Sequence, residues 1–467
     1  MQINAVFASL NCTILQISQL KLIEAAMYTL TLQLHAQGKW QDAMTLNFAE
    51  PGKGFLSPCQ YGYISAYVGA NLDAYESTFD KAASVRLPVD FELQHEKKVP
   101  AFLHDIAPSG AAKRFLLRHM GREKPEGLAD DLFLLARSTP APIGNLRIKE
   151  SMEGLDTTAP MGFSFDDVVS RDQRFLEYAY EQGVAIGGAT GAGGEAPKLL
   201  LTEAGDGQLY PDAVLKDDRA TCHWFVKFAR NQALDNDQTI LRAEYLYYKA
   251  LQTLGIDTVA TPELALKEGH RPSLWMKRFD RRIGAEGVER LAVESVYSLA
   301  GVTEPGSRMD HLEVIQALAG LWIKAGQKDQ VPDLVAEYLR RDLINKILGN
   351  ADNHGRNTAI IRSDAQLRLA PIYDLAPMVM DAEGITRTTK WASPVERGGE
   401  VDWRAACHLL GSLLDPQQAF ERLRQDAHGL LALPDLLHDA GLPEVVMNHP
   451  AIALKNLEQR MKGWGLL

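Results

Sequence analysis

The chain predicts an α+β fold, rich in strands towards its N-terminus and mostly helical beyond about residue 280. Three observations carry this reading. Residues 28–48 alternate apolar and polar side chains around a Gln37-Gly38-Lys39 turn, residues 238–254 repeat with a helical period, and residues 349–374 set a polar loop, two short strand-like runs and an acid in succession.

In order along the chain, Tyr28-Thr-Leu-Thr-Leu-Gln-Leu34 and Trp40 to Phe48 form a hairpin by their period of two. Strand-like and turn-rich sequence continues to about residue 93. Ser109 stands as an N-cap before a helix whose apolar face carries Ala112, Phe115, Leu116 and Met120. Asp131 to Ala136 is a second helical segment, and Gly144 to Ile148 a closing strand. Residues 27–150 therefore read as a small α/β subdomain. A Gly/Thr/Pro/Ser-containing connector spans 151–170, and a short helix 171–183. Next come a Gly-rich segment, Gly187 to Gly194, a run beginning at Lys198, and a strand from His223 to Phe228. The amphipathic helix at 238–254 carries Glu244, and 261–266 and 273–279 read as two more strands. Residues 171–280 group as one unit and 281–467 as a helical one. From about 284 onward the only further strands expected are those flanking the polar loop.

Composition bounds the function classes. Hydrophobic residues make up 46% of the 467 and charged residues 23%, ordinary values for a globular chain long enough for more than one domain. The formal charge of −11 argues against direct, sequence-independent nucleic-acid binding. Cys12, Cys59, Cys222 and Cys407 show no metal-ligand spacing and read as reduced, buried thiols, which fits a cytoplasmic protein. Residues 1–26 are apolar but interrupted by Asn4, Asn11, Gln16, Gln19 and Lys21, with no basic stretch ahead of them, so neither a signal peptide nor a membrane span is expected.

The chemistry concentrates in Gly349-Asn-Ala-Asp352-Asn-His354-Gly-Arg356-Asn357 and Pro371-Ile-Tyr373-Asp374. An acid, an amide five residues later, a hairpin and a second acid is the layout of a phosphotransferase loop. One carboxylate faces the attacking hydroxyl, while an amide and another carboxylate hold a hard cation through oxygen. Upstream elements have roles in the same chemistry. A Gly-rich loop lets backbone N–H groups approach phosphate, Lys227 sits mid-strand in an apolar setting where it needs an anion, and Glu244 is placed to pair with it. Each signal alone has a plainer reading: a polar turn for the loop, an edge-strand lysine reaching water for Lys227 or Lys198. Their order along the chain, glycines, lysine, glutamate, Asp-x₄-Asn, hairpin, Asp, is that of a kinase.

With these stretches, and with Val99 to Gly110, Asp131 to Ala136, Ile143 to Arg147 and Arg278 to Arg281, the chain resembles the HipA family of serine/threonine kinases, toxins of type II toxin–antitoxin modules. The resemblance covers about 100 to 375. It implies a two-lobed protein-kinase-like fold, a β-rich N-terminal subdomain and a mostly helical C-terminal lobe. It implies that Asp352 is the catalytic base, Lys227 a phosphate contact, and Asn357 and Asp374 the Mg²⁺ ligands. The remaining ATP contacts it implies are Gly193, Gly194, Glu195 and Lys198 over the phosphates, Lys277, Arg278 and Phe279 at the hinge, and His354, Arg356 and Tyr373 beside the nucleotide. It also implies a protein substrate and a small helix-turn-helix antitoxin as partner. The family's autophosphorylated serine, seven residues before the lysine, falls here on Gly191, which leaves Thr190 as the nearest hydroxyl. Two other readings stay open on the sequence: an inactive nucleotide-binding scaffold for a DNA-binding partner, and a metal-dependent hydrolase using Asp352, His354 and Asp374.

Overall fold

Apolar alternation drives the first element. In the computed structural model, which describes residues 27–171, 173–182, 198–230, 232–269, 271–285, 287–363 and 366–467, β1 (Tyr28–Ala36) and β2 (Lys39–Phe48) pair antiparallel. Leu30, Leu32 and Leu34 turn inward. β3 (Cys59–Tyr63), β4 (Gln94–Glu96) and β5 (Leu146–Ile148) complete a sheet ordered β4-β3-β2-β1-β5. Helices α1 (Gly110–Met120) and α2 (Asp130–Arg137) contribute Leu116 and Leu132 to Leu135 to the same core.

A second sheet, ordered β7-β6-β8-β10-β9, is built from β6 (Lys198–Ala204), β7 (Leu209–Pro211), β8 (Ala220–Phe228), β9 (Ala265–Lys267) and β10 (Ser273–Lys277). Its two faces enter different cores, as the strand period requires. Leu199, Leu201, Trp224, Val226, Phe228 and Trp275 pack with the N-terminal sheet. Leu200, Phe225, Leu274 and Met276 pack against the other side, where α3 (Asp235–Thr253) and the C-terminal helices lie. The expected strand at 261–266 is confined to the three residues of β9. The expected strand at 273–279 ends at Lys277.

Beyond residue 284 the expectation of two strands is too few. β11 (Arg281–Gly284) and β12 (Gly287–Arg290) form a hairpin, and β13 (Ala292–Ser295) lies beside the strands that follow the polar loop. β14 (Met309–Asp310) pairs later with β17 (Thr389–Lys390), and β15 (Ala359–Arg362) pairs with β16 (Leu367–Leu369). These strands have two to four residues, too few for a period to show, and β13 buries Glu294 and Ser295 where an apolar residue would be expected. The rest of this region is helical, including α4 (His311–Lys324), α5 (Val331–Leu348) and α6 (Pro416–Leu430). Among the described residues no helix is long and apolar enough to cross a membrane.

The N-terminal segment is riveted to the C-terminal region by buried polar groups. The Arg362 guanidinium donates to the carbonyls of Thr78, Phe79, Ala82 and Ala83. Glu294 accepts from Ser84 Oγ at 2.5 Å and from the Val85 N–H at 2.9 Å. Asp105 accepts from the N–H and Oγ of Ser295 at 2.9 and 2.7 Å. Arg362→Met would remove the donor to four carbonyls and the cation facing buried Glu294 at once, so we expect a loss of about 3–5 kcal/mol, read as a lower urea midpoint, with new proteolytic cleavage near residues 78–83.

Candidate functional site

The second sheet sets two lysines side by side. Lys198 opposes Lys227 directly in the β6–β8 register, and both project from the face that carries Leu200 and Phe225. Both strands are central, so neither lysine can reach water along an edge, and they are only 8% and 7% exposed. Like charges directly opposite in a sheet repel, and buried ones need an anion between them. Asp374 supplies it. Lys227 Nζ lies 2.7 Å from Asp374 Oδ1, and Lys198 Nζ 3.3 Å from Oδ2. Lys227 also donates to Glu244 on α3 at 2.6 Å.

Asp374 is held in the left-handed backbone region (φ +54°), unusual for a residue with a side chain. The next N–H, from Leu375, donates to Tyr248 Oη at 3.1 Å, and that hydroxyl donates to Glu244 Oε1 at 3.1 Å. Lys227, Glu244, Tyr248 and Asp374 thus close a ring of polar contacts joining β8, α3 and the turn after β16.

The polar loop begins where α5 ends. Gly349 caps that helix at φ +68°, and a Cβ there would lie within 2.8 Å of Val379 and Ile452. Gly355 is equally constrained, because a Cβ would come 2.3 Å from the Tyr297 ring. Between them Asp352 turns towards the lysines, and Asn357 Nδ2 donates to the Asp352 carbonyl at 2.6 Å. His354 stacks on Tyr297, with its Nε2 3.7 Å from Asp352 Oδ1.

These carboxylates are driven in opposite directions. Burial would raise the Asp374 pKa, but Lys198 and Lys227 outweigh it and hold the group below the usual carboxylate range. Asp352 is raised to about 7, first by burial and then by the charge of Asp374, with Arg230 and the two lysines pulling it back. Two acids in one cleft with separated pKa values are the arrangement needed for distinct roles as base and ligand.

Beside the lysine pair an apolar slot is walled by Phe225, Val259, Met276, Phe279 and Tyr373. Phe279 and Tyr373 stack at 5.7 Å and 14°. Past Trp275 the β10 edge facing β9 has no further strand pairing, which leaves the backbone at Met276 and Lys277 beside the slot. Lys277 sits at its rim, paired with Glu263. Two arginines at this wall direct their guanidinium groups elsewhere, although Arg278 itself lines the slot as the hinge expectation has it. The Arg278 guanidinium turns away from the slot into a buried cluster with Asp212 and Asp280 and the carbonyls of Ala141 and Pro142. The Arg356 guanidinium is also turned away, its Nε 3.9 Å from Asp105, and only its carbonyl, which accepts from Tyr373 Oη at 2.6 Å, serves the slot. Arg356 reads as a nucleotide contact by position, but a buried carboxylate is closer at hand. Gly193, Gly194, Glu195, Thr190 and Gly191 lie outside the described residues.

Sequence reasoning passed over Tyr248, Tyr297 and Arg230. The two tyrosines looked like core aromatics, and Arg230 lay in a connecting turn with no motif to flag it. As a cation site, the cleft offers oxygen donors of the kind Mg²⁺ takes: Asp374, and Asn357, whose buried Oδ1 has no hydrogen-bond partner among the described residues. Among the described residues no group of three or more His, Cys, Asp or Glu side chains could hold a metal, so Asp352, His354 and Asp374 do not form the cluster a hydrolytic centre would use.

The opposed shifts predict opposed mutants. Between its ordinary 3.8 and about 7 the folded chain holds the Asp352 proton that the unfolded chain has lost, so this group subtracts stability as pH rises through that window. Asp352→Asn should therefore be more stable than wild type at pH 8 by roughly 1–3 kcal/mol, discounted for partial exposure, and equal to it near pH 4. Asp374, held low, adds stability above the usual carboxylate range that is lost as pH falls. Asp374→Asn should accordingly be destabilised at pH 8. Denaturant titrations of both variants at the two pH values check this.

Residues 190–430 match the family model for the HipA-like C-terminal domain. Y4dM of Sinorhizobium fredii (strain NBRC 101917 / NGR234), named as a candidate kinase, is 29% identical over 184 residues, which span 36% of this chain and 42% of that protein, less than half its length. A solved complex of HipA, HipB and operator DNA from Shewanella oneidensis MR-1 contains a chain that superposes with a TM-score of 0.59 at 16% identity, over 93% of this chain and 96% of that one. That likeness establishes an α+β kinase-like fold. Matched over more than half its length, the chain belongs to the HipA-like C-terminal domain family.

Proposed function

We propose that the chain is an ATP- and Mg²⁺-dependent protein serine/threonine kinase, a growth-inhibiting toxin of the HipA type acting in the cytoplasm. The observation that carries this is the convergence of Lys227, Lys198, Asp374, Asp352 and Asn357 on one cleft beside an apolar slot. The adenine lies in the slot between Val259, Met276, Phe279 and Tyr373, facing the backbone of β10. Lys198 and Lys227 take the phosphates. Asn357 and Asp374 hold Mg²⁺, which when bound neutralises phosphate charge. Asp352 accepts the proton of the substrate hydroxyl as its oxygen bonds to the γ-phosphorus, the bond to the β–γ bridging oxygen breaks, and ADP leaves. With a pKa near 7, Asp352 is poised as a base at neutral pH.

The HipA relative was solved with HipB and operator DNA. On that footing we take a small helix-turn-helix antitoxin as the partner, with DNA contact left to it. A formal charge of −11 supports that division.

The test is transfer of ³²P from γ-labelled ATP to proteins of a cell extract, with Mg²⁺, by wild type and by Asp352→Asn. We expect the variant to lose roughly 10²–10⁵ of the rate while retaining nucleotide binding. Full transfer by Asp352→Asn would overturn the assignment, as would phosphoester hydrolysis without ATP. Induced expression of the wild type, but not of this variant, should also arrest growth, which plate counts score.

A further inference from the structure

One cation in the cleft is left without a task by this scheme. Arg230 lies three residues past Lys227, in the turn between β8 and α3, and lines the same cavity as Asp352, Asp374 and the two lysines. The turn is tight. The Ala233 N–H donates to the Arg230 carbonyl at 2.8 Å, and Ala233 sits at φ +56°. Arg230 is 6% exposed. Its Nη1 lies 3.4 Å from Asp381 Oδ2 and 3.5 Å from Met378 Sδ, and its Nε has no hydrogen-bond partner among the described residues. Asp381 is itself anchored: its Oδ1 accepts the Glu383 N–H at 2.9 Å, and its own N–H donates to the Met378 carbonyl at 3.1 Å.

The contrast with the lysines matters. Among the described residues Lys227 hydrogen-bonds two carboxylates and Lys198 one, whereas Arg230 has one carboxylate at ion-pair distance, 3.4 Å away, and the hydrogen bond it makes is to a thioether. A buried guanidinium with five donors is costly to leave so poorly matched, and its fork suits two phosphate oxygens. Its place in the cavity is specific too: Arg230 and Met378, to which it donates, line the same cavity as Asp352 and the two lysines.

We propose that Arg230 grips the nonbridging oxygens of the γ-phosphoryl group, between Asp352 and the two lysines, and so distinguishes a nucleoside triphosphate from a diphosphate. Asp381 is the positioning residue that aims it. This rests on the phosphotransfer reading. As the acceptor oxygen bonds to phosphorus, its proton passes to Asp352 and ADP departs with the bridging oxygen, while charge gathers on the oxygens that Arg230 holds.

The experiment is calorimetric titration of the full chain with the non-hydrolysable triphosphate AMP-PNP and with ADP, each with Mg²⁺, for wild type, Arg230→Met and Arg230→Lys. Loss of a charge-assisted contact should weaken AMP-PNP binding by Arg230→Met about 10-fold or more while ADP binding stays within about twofold, with Arg230→Lys between. The transfer rate of Arg230→Met should fall by roughly 10²–10³. An equal loss for both nucleotides, or none for either, would assign Arg230 a structural role and overturn the proposal. If Arg230→Met does not fold, Arg230→Gln is read in its place. Failure of the wild type to bind either nucleotide would instead sink the phosphotransfer reading, a result distinct from loss of discrimination.

Discussion

Asp374 is the constraint on which the cleft depends. Two lysines on neighbouring central strands are pressed together by the sheet register, and nothing in an apolar interior would tolerate them without an acid between. That acid comes from the other side of the cleft, from a turn 17 residues past Asn357. The strained φ of Asp374 is affordable because Tyr248 fixes the next N–H and Glu244 fixes Tyr248. The pairing therefore ties the lysine-bearing sheet to the loop-bearing region without ligand. It also limits what Asp374 can do. Its two oxygens face Lys227 and Lys198, so a cation bound there would share them with the two lysines. On the phosphotransfer reading, the phosphates would offset the positive charge that the cation adds beside that pair.

The N-terminal sheet is more than an appendage to this arrangement. Arg362 sits on β15, immediately after the polar loop, and Ser295 on the strand that pairs with it. Asp105, which binds Ser295, also faces Arg356, one residue before Asn357. The loop is thus clamped from the N-terminal side by Asp105 and Arg362 and from the C-terminal side by Ile452 behind Gly349. A loop held from both sides needs little ordering when substrate arrives, which is the condition for catalysis by positioning.

Much of this was legible before the structure, and the parts that were not have physical reasons. The hairpin at 28–48, the α3 helix and the loop–hairpin–acid succession showed because period and turn chemistry are local properties. The pairing of Lys227 with Glu244 could be anticipated from a lysine mid-strand among apolar neighbours. The resemblance placed Lys198 over the phosphates, but only the cross-strand register shows it opposite Lys227 and sharing Asp374. The Arg356 side chain misled for the complementary reason. Proximity in sequence to a motif says nothing about which buried carboxylate captures a long side chain, and Asp105 comes from a distant segment. The short strands after residue 284 were invisible because tertiary pairing, not propensity, makes them.

Asp352 shows what the cleft gives up for its chemistry. A carboxyl buried beside another carboxylate is destabilising once it ionises, and its pKa of about 7 measures that conflict. Natural cores remove such groups, so its persistence here asks for a compensating use. The conflict has a direction. Every cation brought into the cleft lowers the Asp352 pKa, while Asp374 raises it. On the phosphotransfer reading, a bound divalent ion would therefore convert a half-protonated group at neutral pH into an ionised one when the substrate hydroxyl must be deprotonated. Arg230 and the two lysines do part of that work from within the fold. On the phosphotransfer reading Asp352 is thus partly protonated at neutral pH before nucleotide and metal bind and ionised once they do, a coupling that follows from the placement of the charges around it and needs no conformational change.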